Sequence, residues 1–160
     1  LRGWKNTMEE NDLTRELKLA KKAAREAGEI LRGYWKREGL KVGSKGPGNP
    51  VTQADLEADS AIKRALRDPF PSYGWLSEET VDNDDRLKCR RVWIVDPLDG
   101  TKEFINGIPE FAVAIALIED GAPILGVTYN PIKREMYWSA RGVGCHLNTR
   151  EVRVTRVRTL

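Results

Sequence analysis

Apolar residues recur at spacings of three and four along the first part of the chain: Leu13, Leu17, Ala20, Ala24, Ala27, Leu31 and Tyr34. Side chains so spaced share one face of a helix. A long helix is therefore expected near residues 12–37, capped by Asn11 or Asp12 and closed at or just before Gly39. Its other faces carry more basic than acidic residues and read as a solvated outer surface. Residues 41–50 hold three Gly and two Pro, the composition of a mobile loop. They lack the Gly-Lys-Ser/Thr ending of a phosphate-binding P-loop, and Lys45 reads as a surface residue. Thr52 then offers an N-cap. Ala58, Ala61, Ile62, Ala65 and Leu66 mark the inner face of a second helix near residues 54–67, stopped by Pro69 and Pro71.

Past Pro71 the period changes from helical to alternating. Strands are expected near residues 73–76, 91–95, 110–118, 124–129 and 134–139, with a last edge strand around Val152 and Val154. Phe111, Val113, Ile115 and Leu117 alternate with Ala112, Ala114, Ala116 and Ile118. Both faces of that strand are apolar, so it should be central and covered on each side. Glu119-Asp120-Gly121, Pro131-Ile132-Lys133 and the pair Gly142 and Gly144 supply turns. Thr80 to Lys88 is acidic and polar, an expected exposed loop. Two long helices followed by a run of strands indicate an α+β domain, with both helices on one face of a mostly antiparallel sheet.

Composition narrows the function classes. At 160 residues the chain has the size of about one domain. Apolar content of 40% and charged content of 32% fit a globular core rather than disorder. The net charge of +3, with both signs interspersed, does not mark a nucleic-acid binder. Nor are the basic residues interleaved with exposed aromatics. No apolar run approaches the ~18 residues of a membrane span, and Leu1-Arg2-Gly3-Trp4-Lys5 lacks the apolar core of a secretory signal. Met8 directly precedes an acidic helix start, so residues 1–11 are read as an extension and 12–160 as the folded unit. Cys89 and Cys145 have no CxxC spacing and read as unpaired thiols of a reducing compartment, which points to the cytoplasm. His146, the one histidine, sits in a strand-like stretch and is read as structural rather than as a ligand or base.

Candidate chemistry gathers between Val92 and Phe111. The apolar run Val92-Trp93-Ile94-Val95 ends on Asp96, and Pro97 biases Asp96 toward extended backbone. Asp99-Gly100-Thr101 follows, a turn that can start a helix. Two carboxylates three residues apart therefore stand at a strand mouth, ahead of N–H groups without intrahelical partners. Carboxylate oxygens hold hard divalent cations, and such amides hold phosphate. A second short strand ends just before Glu78; if the two strands lie side by side, their carboxylates converge. On the short pattern alone both readings stay open. Asp-Pro and Asp-Gly are also ordinary turn dipeptides, and Asp55 is also an ordinary first-turn acid.

Three stretches, in this order, resemble the inositol monophosphatase-like superfamily of magnesium-dependent phosphatases: Val51-Thr52-Gln53-Ala54-Asp55, Trp75-Leu76-Ser77-Glu78-Glu79 and Asp96-Pro97-Leu98-Asp99-Gly100-Thr101. The likeness runs from about Asp12 to Leu147. Within the superfamily, Gly100-Thr101-Lys102-Glu103-Phe104-Ile105, Glu110-Phe111-Ala112-Val113 and Pro123-Ile124-Leu125-Gly126-Val127 are similar to the 3'(2'),5'-bisphosphate nucleotidases. The inositol phosphatases more often carry Thr-Asn-Phe after the Asp-Gly. The resemblance implies the amino-terminal half of the sugar-phosphatase fold, with two or three Mg²⁺ ions per complete site. It implies Glu78, Asp96, Asp99 and the Leu98 carbonyl as metal ligands. Thr101 and Glu78 would orient the attacking water, and Asp55 would support Thr101 from behind. Gly100 and Thr101 would give backbone donors to the substrate phosphate, beside Glu78, Leu98 and Asp99, and Glu79 would lie near the metals.

Electrostatics agree with that assignment. Carboxylates about 4 Å apart repel by about 4 kcal/mol at an effective dielectric of about 20, a cost that a bound cation removes. The expected reaction is in-line hydrolysis of a phosphate monoester by a metal-activated water, with a second ion offsetting the leaving alkoxide. The expected substrate is the 3'-phosphate of adenosine 3',5'-bisphosphate. Superfamily members continue into a second domain that brings another metal-binding Asp in a Trp-Asp motif, and none of the five Trp here is followed by Asp. The chain thus reads as an amino-terminal portion, weakly active or inactive alone. The sheet face that the second domain would cover is an expected site of homodimerisation or aggregation. Two alternatives stand beside this reading. One is an inositol monophosphatase or related sugar phosphatase. The other is a catalytically dead interaction module, which the clustered carboxylates disfavour.

Overall fold

The structure is a computed structural model that describes residues 13–46, 49–155 and 157. The amphipathic pattern at the start forms helix α1, Thr14–Tyr34. Its N-cap position is Leu13, without a side-chain cap; Asn11 and Asp12 lie outside the described residues. The helix stops three residues short of the expected Arg37. Trp35 takes extended backbone, which leaves its ring 6.1 Å from that of Phe111, and Lys36 turns with φ 59°.

The buried face of α1 is built of small side chains. Ala20, Ala23, Ala24 and Ala27 are all 1% exposed or less, which lets the helix lie close to its neighbours. Gly28 makes the closest approach: a Cβ there would stand 2.6 Å from Tyr129 Cε1. Gly28→Ala is expected to destabilise the fold by about 1–3 kcal/mol through overpacking. Gly33, on the same helix with nothing within 4 Å, is the control. Gly33→Ala should instead stabilise by up to about 1 kcal/mol through helix propensity. Urea midpoints of the two variants separate these outcomes.

Residues expected to be a loop pair as strands. β1 (Val42–Gly46) and β2 (Asn49–Thr52) form an antiparallel hairpin in which Val42 faces Thr52 and Ser44 faces Pro50. The Gly and Pro content hid it. Both strands of a two-stranded ribbon are edges, so Pro50 is tolerated there. Helix α2, Gln53–Arg67, starts on Thr52 as expected; Thr52 Oγ1 accepts from the Ala54 N–H at 3.2 Å.

The remaining elements are β3 (Gly74–Ser77), β4 (Arg91–Asp99), α3 (Thr101–Ile105), β5 (Ala112–Glu119), β6 (Ala122–Asn130), β7 (Glu135–Ala140), β8 (Gly144–Leu147) and β9 (Arg150–Val152). A short 3-10 turn, Asp84–Lys88, interrupts the expected exposed loop. The seven strands form one sheet in the order β3-β4-β5-β6-β7-β8-β9. Every neighbouring pair is antiparallel except β3 and β4, which run parallel. Gly144 begins β8 rather than sharing the turn with Gly142, and the last strand stops at Val152. Val154 lies past it, 94% exposed.

Val113 faces Tyr129, Ile115 faces Val127 and Leu117 faces Leu125, so all six share one sheet face. That face is buried, and α1 and α2 pack against it together with Trp93 and Val95. The opposite face, apolar on β5 and read from the sequence as the one a second domain would cover, is left partly open by the described residues. Ile94 is 38% and Tyr137 45% exposed, and Ala112, Ala114, Ala116 and Ile118 are half-buried. Among the described residues, α1 and α2 both pack on the other side. No helix among the described residues is long and apolar enough to cross a membrane.

Candidate active site

The parallel pairing of β3 and β4 sets the geometry. Ser77 stands opposite Val95, and the Glu78 N–H donates to the Val95 carbonyl at 3.2 Å. Glu78 therefore leaves the end of β3 beside Asp96 on β4. Strand β4 was expected to end at Asp96, but it continues through a bulge and pairs again at Asp99, opposite Ala112. Pro97 lacks an N–H, and a bulge exempts it from the ladder. The Leu98 N–H closes the bulge by donating to Asp96 Oδ1 at 3.1 Å.

Gly100 makes the next turn with φ 93°, where a Cβ would meet the Glu110 carbonyl oxygen at 2.9 Å. Both conformation and space exclude other side chains. Gly100→Ala is expected to cost about 1–3 kcal/mol by chemical denaturation, because strain and clash act together. Thr101 opens α3, and its Oγ1 lies 3.1 Å from both Asp55 Oδ1 and the Leu98 carbonyl. One hydroxyl proton serves these two acceptors, which leaves the lone pairs of Oγ1 for an incoming donor. Asp55 is 1% exposed. Its Oδ2 accepts from the Thr52 N–H at 2.9 Å and the Thr52 hydroxyl at 2.5 Å. The capping acid of α2 is thus also the residue beneath Thr101.

Glu78, Asp96, Leu98, Asp99, Gly100 and Thr101 all line a single cleft of about 280 Å³, with Pro50, Lys102 and Glu103 at its margins. Of the site residues singled out in the sequence, these six line the cleft and Asp55 lies behind Thr101, whereas Glu79 does not line it. A larger hollow of about 430 Å³ lies between the end of α1 and Gln53, but it gathers no comparable set of acids. Burial first, and then the Glu78 carboxylate, push Asp96 up from 3.8 to about 7; Asp99 adds a smaller repulsion. Among the described residues no three Asp, Glu, His or Cys side chains close on one point tightly enough to form a finished cation cage. The fit to a hard cation rests instead on the donor set. Three carboxylates and a strand-end carbonyl share one cleft, and their mutual repulsion is what a divalent ion would relieve. His146 does not line this cleft; it stacks on Trp138 with ring centroids 4.1 Å apart. Lys45 lies on β1, and Cys89 and Cys145 are both free.

Sequence reasoning passed over Asp59. It is buried at 7% exposure on α2, one turn beyond Asp55. Its Oδ1 takes a very short hydrogen bond from the Ser77 hydroxyl, and its Oδ2 accepts from the Thr80 hydroxyl at 3.1 Å. The available signal was the spacing of four between two acids on an otherwise apolar helix face.

An α+β domain with acids and backbone amides meeting at adjacent strand ends defines the class. The chain belongs to the inositol monophosphatase family, whose pattern matches residues 12–160. Inositol-1-monophosphatase of Mesorhizobium japonicum is 45% identical over 135 residues, 82% of this chain and 50% of that protein. The 3'(2'),5'-bisphosphate nucleotidase CysQ of Escherichia coli is 46% identical over 121 residues, 74% of this chain and 49% of that one. The native crystal structure of extragenic suppressor protein suhB from Bartonella henselae superposes with a TM-score of 0.82 at 40% identity. That match covers 90% of this chain and 56% of the other. The chain spans about half the length of the curated relatives it matches.

Proposed function

We propose that residues 12–160 form the metal- and phosphate-binding part of a Mg²⁺-dependent phosphatase that hydrolyses a small phosphate monoester. The observation that carries this reading is the meeting of Glu78, Asp96 and Asp99 with the Gly100-Thr101 turn in one cleft. Glu78, Asp96, Asp99 and the Leu98 carbonyl would hold the ions. Magnesium bound there lowers the pKa of water and offsets charge on the phosphate. The chain's own residues do the rest. Asp55 fixes the Thr101 hydroxyl by accepting its hydrogen bond, and Thr101 with Glu78 would orient the attacking water. The amides of Gly100 and Thr101, at the turn that opens α3, would face the phosphate oxygens. Among the described residues lining the cleft, Thr101 carries the one hydroxyl, and it is engaged with Asp55 and Leu98. That supports water rather than the Thr101 hydroxyl as the nucleophile. Isotope from labelled water should enter the released phosphate without a phosphoenzyme; a trapped phosphoenzyme would refute this step.

For the substrate, we infer the 3'-phosphate of adenosine 3',5'-bisphosphate. Lys102 and Glu103 follow the Gly100-Thr101 turn at the cleft margin, as in the motif that resembles the bisphosphate nucleotidases, and Lys102 brings a cation to a second phosphate. The 45% identity to an inositol-1-monophosphatase supports inositol monophosphate as the second reading. Phosphate release across a panel of both substrates decides between them. Calorimetric titration with Mg²⁺ tests the shared premise: no binding leaves the interaction-module reading in its place.

A further inference from the structure

We propose that Asp59 is a positioning residue: through Ser77 and Thr80 it holds the turn that aims Glu78 at Asp96. The inference rests on the metal reading of Glu78 given above. Ser77 is the last residue of β3 and Thr80 lies three further on. Their side chains bracket Glu78 and Glu79, and both hydroxyls end on the one carboxylate of Asp59. The backbone of the same segment is folded back on itself, with the Thr80 N–H donating to the Ser77 carbonyl at 3.4 Å. The Glu79 N–H reaches Ser77 Oγ, also at 3.4 Å. These backbone contacts are long, near the limit of useful hydrogen bonding. The contacts to the charged carboxylate are the stronger class.

The geometry gives α2 two parallel tasks. Asp55 and Asp59 lie four residues apart, hence on one helix face. Asp55 reaches the Thr101 hydroxyl beside the Asp96–Gly100 turn, and Asp59 reaches the Ser77–Thr80 turn. The β3–β4 pairing brings Glu78 beside Asp96, and one helix then holds both loops that meet in the cleft, Asp55 through Thr101 and Asp59 through Ser77 and Thr80. Any buried acid needs donors; what is particular here is that both donors of Asp59 come from the residues that flank Glu78 and Glu79. Outer residues that orient a ligand change metal affinity by about 10- to 100-fold.

The test is Mn²⁺ binding to the chain, followed by electron paramagnetic resonance, with amide hydrogen exchange read in parallel. Asp59→Ala is expected to weaken Mn²⁺ by at least about tenfold. It should speed exchange at Glu78, Glu79 and Thr80 while leaving the interior of α2 protected. Asp59→Asn, which keeps an acceptor for one hydroxyl, should restore most of the affinity. Should Asp59→Ala fail to fold, Thr80→Val severs one tether without changing side-chain shape and is expected to weaken Mn²⁺ several-fold. Wild-type affinity in Asp59→Ala, or in Thr80→Val where the first variant does not fold, overturns the inference. So does acceleration of exchange spread evenly over α2 and the sheet. Absence of Mn²⁺ binding in the wild-type chain sinks the metal reading and this inference with it. That result appears in the wild-type arm alone, so the two failures are told apart.

Discussion

Asp96→Asn is expected to abolish divalent-cation binding while stabilising the metal-free protein above neutral pH. The two effects have one origin. Asp96 is partly buried and faces Glu78, so its carboxyl holds its proton up to about 7, against an ordinary value of 3.8. The folded state therefore binds a proton more tightly than the unfolded chain. Without metal, the contribution of Asp96 to stability is full below about 3.8, falls as pH rises toward 7, and is flat beyond. Asparagine carries no charge and removes that slope. Asp96 is partly exposed, so solvent screening limits the gain at alkaline pH to about 1 kcal/mol. For metal the sign reverses. Losing one of three carboxylates should weaken Mg²⁺ by more than the roughly 10- to 100-fold typical of outer-shell changes. Calorimetric melting of both proteins near pH ~4 and ~8, with and without Mg²⁺, reads all four terms of this linkage. Magnesium should raise the wild-type midpoint and leave the variant unmoved. A variant that is stabilised equally by Mg²⁺ would remove Asp96 from the ligand set and take the phosphatase proposal with it.

The long-period features of this fold were legible because they are one-dimensional. A three-and-four repeat of Ala and Leu specifies α1, and strict alternation specifies β5, whatever else the chain does. The convergence of Glu78 with Asp96 was legible for a related reason: two apolar runs each ended on an acid, and adjacent strands bring their ends together. What escaped is decided by partners distant in sequence. The β1–β2 hairpin is a pairing, and its Gly and Pro content spoke locally for a loop. The bulge that carries β4 past Pro97 depends on Ala112 lying opposite Asp99. Apolar residues on the second face of β5 show that burial there is tolerated, but not which segment supplies the cover. The spacing of Asp59 from Asp55 hinted at a buried acid, but nothing local reveals two hydroxyls arriving from residues 77 and 80. Arg91 escaped in the same way, and its neighbours carry the largest stability effect expected of a single change.

Arg91→Met is expected to destabilise the fold by about 3–5 kcal/mol, lowering the thermal midpoint on the order of 10 °C. Arg91 opposes Glu119 across β4 and β5, and its Nε donates to Glu119 at 2.8 Å. Its Nη1 donates to Glu16 on α1 at 2.8 Å and to the Tyr73 hydroxyl at 2.8 Å, while that hydroxyl donates to Glu16 at 2.7 Å. The side chains of Glu16 and Glu119 are 7% and 6% exposed, and that of Arg91 is 17%. One guanidinium thus ties the first helix to the sheet between two buried carboxylates. Methionine fills most of the volume but leaves the buried Glu16 without its cation, with the Tyr73 hydroxyl still donating to it. Glu119 keeps Arg141 at 3.2 Å and Arg90 at 3.7 Å, so the penalty falls on the helix end. The double variant Glu16→Leu/Arg91→Met should recover most of the loss, because a buried ion pair exchanged for apolar residues is close to neutral. Acid dependence gives an independent reading. The hydrogen bond from Arg91 is the main cause that holds Glu119 below its ordinary 4.5. Its stabilisation is present above that value and is lost as pH falls through the lower folded one, so Arg91→Met should flatten the acid limb of the stability curve. An exposed pair, Lys133 with Glu110 at 2.8 Å, serves as the comparison. Lys133→Ala should leave the midpoint where it was, and an equal drop in both variants would show that charge number, rather than burial, governs this fold.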